Sequence, residues 1–226
     1  MKKLIVFTGA GVSAESGIRT FRDAGGLWEG FRIEDVATPR AWKKDPEMVL
    51  RFYNERRKNV LEAIPNLAHT LIAQLQESYD VDVITQNIDD LHERAGSEKV
   101  LHLHGEILKM RSENDEELIY PIVTDIRIGD LAQDGAQLRP HIVWFEEPVP
   151  MMDDAIRTSM NADIFIVVGT SLVVYPAASL LHYTNTQTPV FVIDKKVPKV
   201  SRPNIVYIEK TASQGMTDLI HLLARL

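Results

Sequence analysis

There is no cysteine among the 226 residues of this chain. That absence excludes disulfides, thiol catalysis and any cysteine-ligated zinc. A long apolar run is missing too. After Lys2 and Lys3, only residues 4–7 are continuously apolar, too short for a signal peptide or a membrane span. A soluble cytoplasmic protein with no membrane partner is the expectation. Positive charge is in deficit: 25 Lys and Arg against 32 Asp and Glu leave a formal net charge of −7. A nucleic-acid binder normally shows a basic face, so no nucleic-acid partner is expected, while basic protein substrates remain compatible. Internal repeats and low-complexity tracts are absent as well.

What is present is enough apolar sequence, 45% of residues, for a substantial core. The length fits one large domain or one domain carrying a smaller insertion. Apolar runs at 4–8, 81–85, 100–104, 142–145, 163–169, 190–194 and 205–208 read as strands. Several are apolar throughout, as strands buried on both faces of a parallel sheet are. Helical patterns at 46–64, 67–79, 151–161, 176–183 and 214–226 lie between them. The alternation predicts a doubly wound, Rossmann-like α/β fold. Residues 31–64, helical without a strand, and the polar stretch 107–138 fit less well. They read as a small inserted module, leaving 1–30, 65–106 and 139–226 as the main domain.

Gly9, Gly11 and Ala14 follow the first strand at the spacing of a dinucleotide-binding turn. Glycines there let the main chain approach a diphosphate, and the first turn of a following helix points N–H groups at it. Four more strands end in polar clusters: Thr85 to Asp89, His102 to Gly105, Gly169 to Ser171, and Asp194 with Lys195. In an open parallel sheet these ends share one crevice. A hydride-transferring dehydrogenase would place a ribose-binding acid about twenty residues past the glycines. That region, Trp28 to Glu34, is loop-like here, and Thr20-Phe21-Arg22 with the pair Gly25-Gly26 predict a mobile loop over the cofactor instead.

The run from Gly9 to Ile18 with Phe21 and Arg22, the segment Thr85-Gln86-Asn87-Ile88-Asp89, His104-Gly105, Arg139 to Phe145, and Gly169-Thr170-Ser171-Leu172 occur in this order. Together they resemble the motifs of the sirtuins, the NAD-dependent protein lysine deacylases, over residues 4 to about 215. The resemblance implies that NAD is consumed as a co-substrate. The acyl oxygen of a modified lysine attacks C1′ of the nicotinamide ribose and nicotinamide leaves. His104 acts as general base on a ribose hydroxyl, giving free lysine and O-acyl-ADP-ribose. Asn87 and Asp89 would organise the ribose and a water. Cofactor contacts would come from Gly9, Ala10, Gly11, Ala14, Glu15, Thr20, Phe21, Arg22, Trp28, Gln86, Asn87, Ile88, Asp89, Gly169, Thr170, Ser171, Asp194 and Ala212. Val143 and Phe145 would line the channel for the lysine stem. An imidazole is suited to taking a proton at neutral pH, and a fixed polar pocket stabilises charge developing on the ribose.

On the helix at 46–64, Phe52, Ala63, Arg56, Val49, Val60, Tyr53 and Ile64 fall in one stripe, with Arg51, Asn54, Glu55 and Lys58 facing away. An arginine inside an apolar stripe needs an anionic partner. That partner is an internal Asp or Glu, or a ligand. The Tyr-x-x-Arg spacing of Tyr53 and Arg56 resembles the pair that binds the acyl carboxylate in sirtuins removing malonyl or succinyl groups, and a guanidinium takes a carboxylate through two parallel bonds.

The chain departs from the pattern in places. Sirtuins usually carry structural zinc on four cysteines, and none is expected here. The small module must then fold by packing alone, around Leu118, Ile119, Ile122, Ile126 and Leu131. Arg19 replaces a usual proline, Glu146 a usual glycine beside the bound peptide, and Asp194 a usual asparagine. Two other function classes stand beside deacylation: NAD hydrolysis or ADP-ribosyl transfer to protein, and a non-catalytic NAD-sensing protein whose peptide cleft Glu146 blocks.

Overall fold

The computed structural model describes residues 1–20, 30–172, 174–196 and 202–224. The strands are β1 (Lys3–Thr8), β2 (Asp80–Thr85), β3 (Val100–His102), β4 (Gly105–Ser112), β5 (Ile119–Pro121), β6 (Leu138–Ile142), β7 (Ile164–Val168), β8 (Val190–Ile193) and β9 (Ile205–Ile208). The helices are α1 (Ile33–Val36), α2 (Pro39–Lys44), α3 (Pro46–Glu62), α4 (Leu67–Gln74), α5 (Leu91–Arg94), α6 (Met152–Met160), α7 (Leu180–Tyr183) and α8 (Ala212–Leu223). Six strands form one parallel sheet in the order β3-β2-β1-β7-β8-β9. β5, β4 and β6 form a separate antiparallel sheet with β4 in the middle.

The large sheet explains its own sequence. Leu4 and Val6 of β1 pack with Ala68 and Ile72 of α4 and with Met216 and Leu219 of α8. Ile5 and Phe7, on the other face, pack with Ala155 of α6 and Leu180 and Leu181 of α7. With both faces covered, each position must be apolar. A third core joins α1, α2 and α3 to the small sheet through Phe52, Tyr53, Ile107, Leu138 and Trp144. Caps fix where these helices begin: Thr38 Oγ1 accepts from Ala41 N at 3.0 Å, and Asp45 Oδ1 accepts from Met48 N at 2.9 Å, each with proline following.

Several sequence expectations shift. The strand foreseen at 142–145 is β6, which lies earlier and contains Pro140. Proline is tolerated there because β6 is an edge strand. The strand at 100–104 stops at His102. In place of a helix after Gly11 there are two short 3₁₀ turns, Ala10–Val12 and Ala14–Ser16. The segment 107–138, read as the polar part of the small module, carries most of β4 and all of β5. Of its five proposed core residues, Ile126 is buried, while Ile119 and Leu131 are exposed. Ile64 is exposed as well, because α3 ends at Glu62 and the helical phase stops with it.

Candidate active site

The order of the large sheet reverses between β1 and β7, and a crevice opens outside their carboxyl ends. Gly9 and Gly169 stand at those ends. The Gly9 N–H donates to Val168 O at 3.0 Å and the Gly11 N–H to Gly169 O at 2.8 Å. A Cβ on Gly11 would come within 2.6 Å of Gly169 Cα, and Gly169 itself has φ +66°. The glycines thus serve main-chain packing at the switch point. Thr170 Oγ1 accepts from Gln86 Nε2 at 3.0 Å, tying the end of β2 to the end of β7. Glu15 Oε2 accepts from Ser213 N at 2.9 Å, fastening the turn to α8. Asp194, after β8, folds back to accept from Lys196 N at 2.9 Å.

One cleft of about 580 Å³ runs from these strand ends to the small sheet. That volume lies within the range of small-molecule and cofactor sites. Gly9, Ala10, Gly11, Ala14, Glu15, Thr20, Gln86, Asn87, Ile88, Asp89, His104, Gly169, Thr170, Ser171, Asp194 and Ala212 all line it. So do Val143, Phe145 and Arg56 on the opposite side. Tyr53 is fully buried behind that wall, edge-to-face with Phe52 at 5.0 Å, and is not among the lining residues. Burial pushes its phenol pKa upward, so the hydroxyl stays neutral. Phe21, Arg22 and Trp28 lie outside the described residues.

Behind the glycine turn sits a buried polar cluster. Ser13 Oγ donates to Asp89 Oδ2 at 3.0 Å and accepts from Asn87 Nδ2 at 3.1 Å. His69 Nε2 is 3.4 Å from the same hydroxyl, and His69 Nδ1 accepts from Asn66 N at 3.3 Å. With Nδ1 accepting, Nε2 is the donor. Burial holds Asp89 above the usual carboxylate range and lowers His69 to about 4. His69 came from no sequence signal beyond its place in the first turn of α4, where it reads as a capping residue.

His102 and His104 hang on consecutive carbonyls. His102 Nδ1 donates to Asn87 O at 2.9 Å, and His104 Nδ1 donates to Gln86 O at 3.0 Å. A carbonyl only accepts, so the tautomer of His104 is fixed and Nε2 is left to take a proton. Their environments then diverge. Burial lowers the pKa of His104 and favours its neutral form. Burial opposes charge on His102 too, but Glu93, 2.7 Å from Nε2, outweighs it and raises that pKa. The two imidazoles are thereby pushed in opposite directions, His104 toward its neutral form and His102 toward the charged form that Glu93 favours.

On the far wall, Arg56 and Arg57 are both buried on α3 but point to different places. Arg56 lines the cleft with Val60. Arg57 turns to the small sheet, donating Nε to Ile107 O at 2.9 Å and Nη1 to Asn54 Oδ1 at 2.8 Å and Thr124 O at 3.1 Å. Asn54 also faces inward, donating Nδ2 to Ile126 O at 2.9 Å, contrary to its expected outward position. Glu146 adopts φ 74° and pairs with Arg40 at the rim. A positive φ suits the glycine usual at this position in the family pattern.

A profile of the Sir2 family matches residues 9–176. A Helicobacter pylori protein named NAD-dependent protein deacylase is 52% identical over 221 residues, covering 97% of this chain and 94% of the relative. A Bacteroides thetaiotaomicron protein of the same name is 50% identical over 230 residues, covering 99% of this chain and 98% of the relative. Among solved structures, a Sir2 homologue–NAD complex superposes with a TM-score of 0.88 at 39% identity, covering 99% of this chain and 90% of that one. A mutant Sir2 homologue bound to ADP-ribose superposes at 0.89 and 39% identity, with coverages of 99% and 92%.

Proposed function

Because the chain belongs to the Sir2 family, we propose that it removes succinyl and malonyl groups, and acetyl groups as smaller substrates, from protein lysine. The chain is an NAD-dependent protein deacylase, as its relatives at about half identity are named. The acidic-acyl preference is the finer part of the reading. Arg56 supports it: a guanidinium buried at the wall of the same cleft as His104.

The glycine cradle fits a dinucleotide, since its approach surface is main chain and an added Cβ would collide with neighbouring backbone. Gly9, Gly11, Thr170 and Ser171 would hold the diphosphate and adenosine half, with Asp194 at the adenosine ribose. Asn87 and Asp89 would organise the nicotinamide ribose and a water. When bound, NAD supplies a glycosidic bond at C1′ whose cleavage releases nicotinamide and opens the sugar to the acyl oxygen. His104 Nε2 takes the proton from a ribose hydroxyl, and its depressed pKa keeps it ready to accept. Val143 and Phe145 exclude water around the lysine stem. Arg56 holds the distal carboxylate of the acyl group by two parallel bonds. Acylated protein lysines are therefore the partners. Among the described residues no helix is long and apolar enough to cross a membrane.

The test is incubation with NAD and acetyl-, malonyl- or succinyl-lysine peptides, read by mass spectrometry. Free lysine peptide with O-succinyl- or O-malonyl-ADP-ribose is the expected result. Nicotinamide release that is indifferent to peptide would instead assign NAD hydrolysis, and binding without turnover an NAD-sensing role. Arg56→Met should cut kcat/KM on succinyl-lysine about 10- to 100-fold, the worth of charge-assisted bonds, and leave acetyl-lysine within about threefold. Equal loss on both would make Arg56 a structural arginine.

A further inference from the structure

The turn after β6 makes an unusual number of polar contacts with itself. Glu147 accepts from both arms of Arg139, Nη1 to Oε1 at 2.8 Å and Nη2 to Oε2 at 3.2 Å. Glu147 Oε2 also accepts from the Trp144 main-chain N–H at 2.7 Å. The same Arg139 donates Nη2 to Ile142 O at 3.0 Å, and its guanidinium lies 3.3 Å from the Trp144 ring centroid. The Arg139 fork therefore holds the first carbonyl, the central indole and the closing carboxylate of residues 142–147, and that carboxylate in turn holds the Trp144 amide.

We propose that Arg139 and Glu147 form a clamp that positions the cleft-lining residues Val143 and Phe145, and so sets affinity for the acyl-lysine substrate. This rests on the deacylase reading above. The clamp acts through Trp144, whose two neighbours are those residues. They are tied at the other end by main-chain bonds, Val143 N–H to His104 O at 3.0 Å and Phe145 N–H to Ala37 O at 3.0 Å. Val143 thus hangs on the residue assigned as the base. Stability alone is a poor reason for the pair, because well-packed apolar residues often replace buried ion pairs without loss. A bidentate fork contributes orientation, which an apolar pair does not. Arg111 adds little to it: its nearest approach to Glu147 is 3.9 Å, and its own close partner is Glu116 at 2.6 Å. Arg139, which does not line the cleft, is a positioning residue; Glu147 borders the cleft as well as closing the clamp, so Arg139→Lys is the variant that isolates positioning.

Glu147→Gln and Arg139→Lys test the clamp. Each should raise KM for a succinyl-lysine peptide about tenfold, hold kcat within about threefold, and leave the NAD dissociation constant, measured calorimetrically without peptide, within about twofold. A folded variant with unchanged KM overturns the proposal. So does a variant whose NAD affinity falls in step with its peptide affinity, since that marks a general structural role. Should Glu147→Gln not fold, Arg139→Lys keeps the charge, loses the planar fork and carries the test. Should the wild type turn over no acyl peptide, the deacylase reading fails separately, and amide hydrogen exchange decides the clamp. Faster exchange at the Trp144 amide in Arg139→Lys, with the amides of Gly9 and Gly11 unchanged, supports it; unchanged exchange at Trp144 overturns it.

Discussion

On the cofactor side of the cleft, Gly9, Gly11 and Gly169 meet through main-chain atoms with no room for a methyl group. On the opposite side, Arg56, Trp144 and Glu147 meet their neighbours through long side chains, held by ion pairs, indole faces and single hydrogen bonds. On the proposed reading, the first wall would meet NAD with N–H and C=O groups, which every NAD molecule needs in the same places. The second would meet the acyl group with charge and shape, which must match whichever acyl group is taken. A wall made of backbone tolerates almost no substitution, whereas a wall made of side chains is open to retuning.

The contrast is broken most directly at Gly11. Gly11→Ala should abolish measurable NAD binding and lower stability by roughly 3 kcal/mol, the upper range for overpacking, because its Cβ would meet Gly169 backbone within 3.0 Å. Calorimetry with NAD and a thermal melt check both effects. An alanine variant that binds NAD normally would show that this wall yields after all.

His104 stands where the two walls meet. His104→Asn should reduce kcat/KM by about 10²- to 10⁴-fold on acetyl- and succinyl-lysine alike, while NAD still binds. Its burial lowers its pKa. The wild-type acid limb of kcat/KM should therefore fall below the ordinary histidine value of about 6.5. A rate profile breaking above that value would remove His104 as the titrating base.

Arg57 sharpens the side-chain wall by contrast with its neighbour. It carries no cleft contact, and its bonds end on Ile107 O, Asn54 Oδ1 and Thr124 O. Burial lowers its pKa to about 10, still charged at neutral pH. Arg57→Met should cost about 2–3 kcal/mol, a melting shift of roughly 5–10 °C for a chain this size. The ratio of succinyl to acetyl activity should not change. A changed ratio would place Arg57, not Arg56, at the acyl group.

The sequence exposed these two walls unequally. β1, β7 and β8 are buried on both faces, so they appear as unbroken apolar runs bounded by glycine or aspartate. Their ends point to the crevice without help from structure. In the small sheet β5 has only three residues, and the longer β4 mixes Lys109 and Arg111 into its apolar residues. β6 hides behind Pro140. Arg57 escaped because α3 is buried on two sides, against the cleft wall and against the small sheet, and a single apolar stripe describes only one of them. Ser13 and His69 are brought together from distant segments, and nothing in either local sequence marks that meeting.

The smallest effect comes from behind the cofactor wall. His69 and His92 are fully buried, with rings 4.9 Å apart. Burial lowers both pKa values, His69 to about 4. In the unfolded chain a histidine gains its proton near pH 6.5, about where model peptides titrate. Below that pH the unfolded state binds more protons than the folded one, so stability falls as pH falls, from about 6.5 toward 4. One pH unit into that window, each such group costs roughly 1 kcal/mol. Thermal melts at pH 7 and 5.5 should show the loss, and His69→Gln, which keeps an N–H toward Ser13, should flatten it by about half. The NAD affinity should weaken along with it, since Ser13, which donates to Asp89, also meets this imidazole. If His69→Gln shows the same acid dependence as the wild type, the neutral histidine is not what supports that wall.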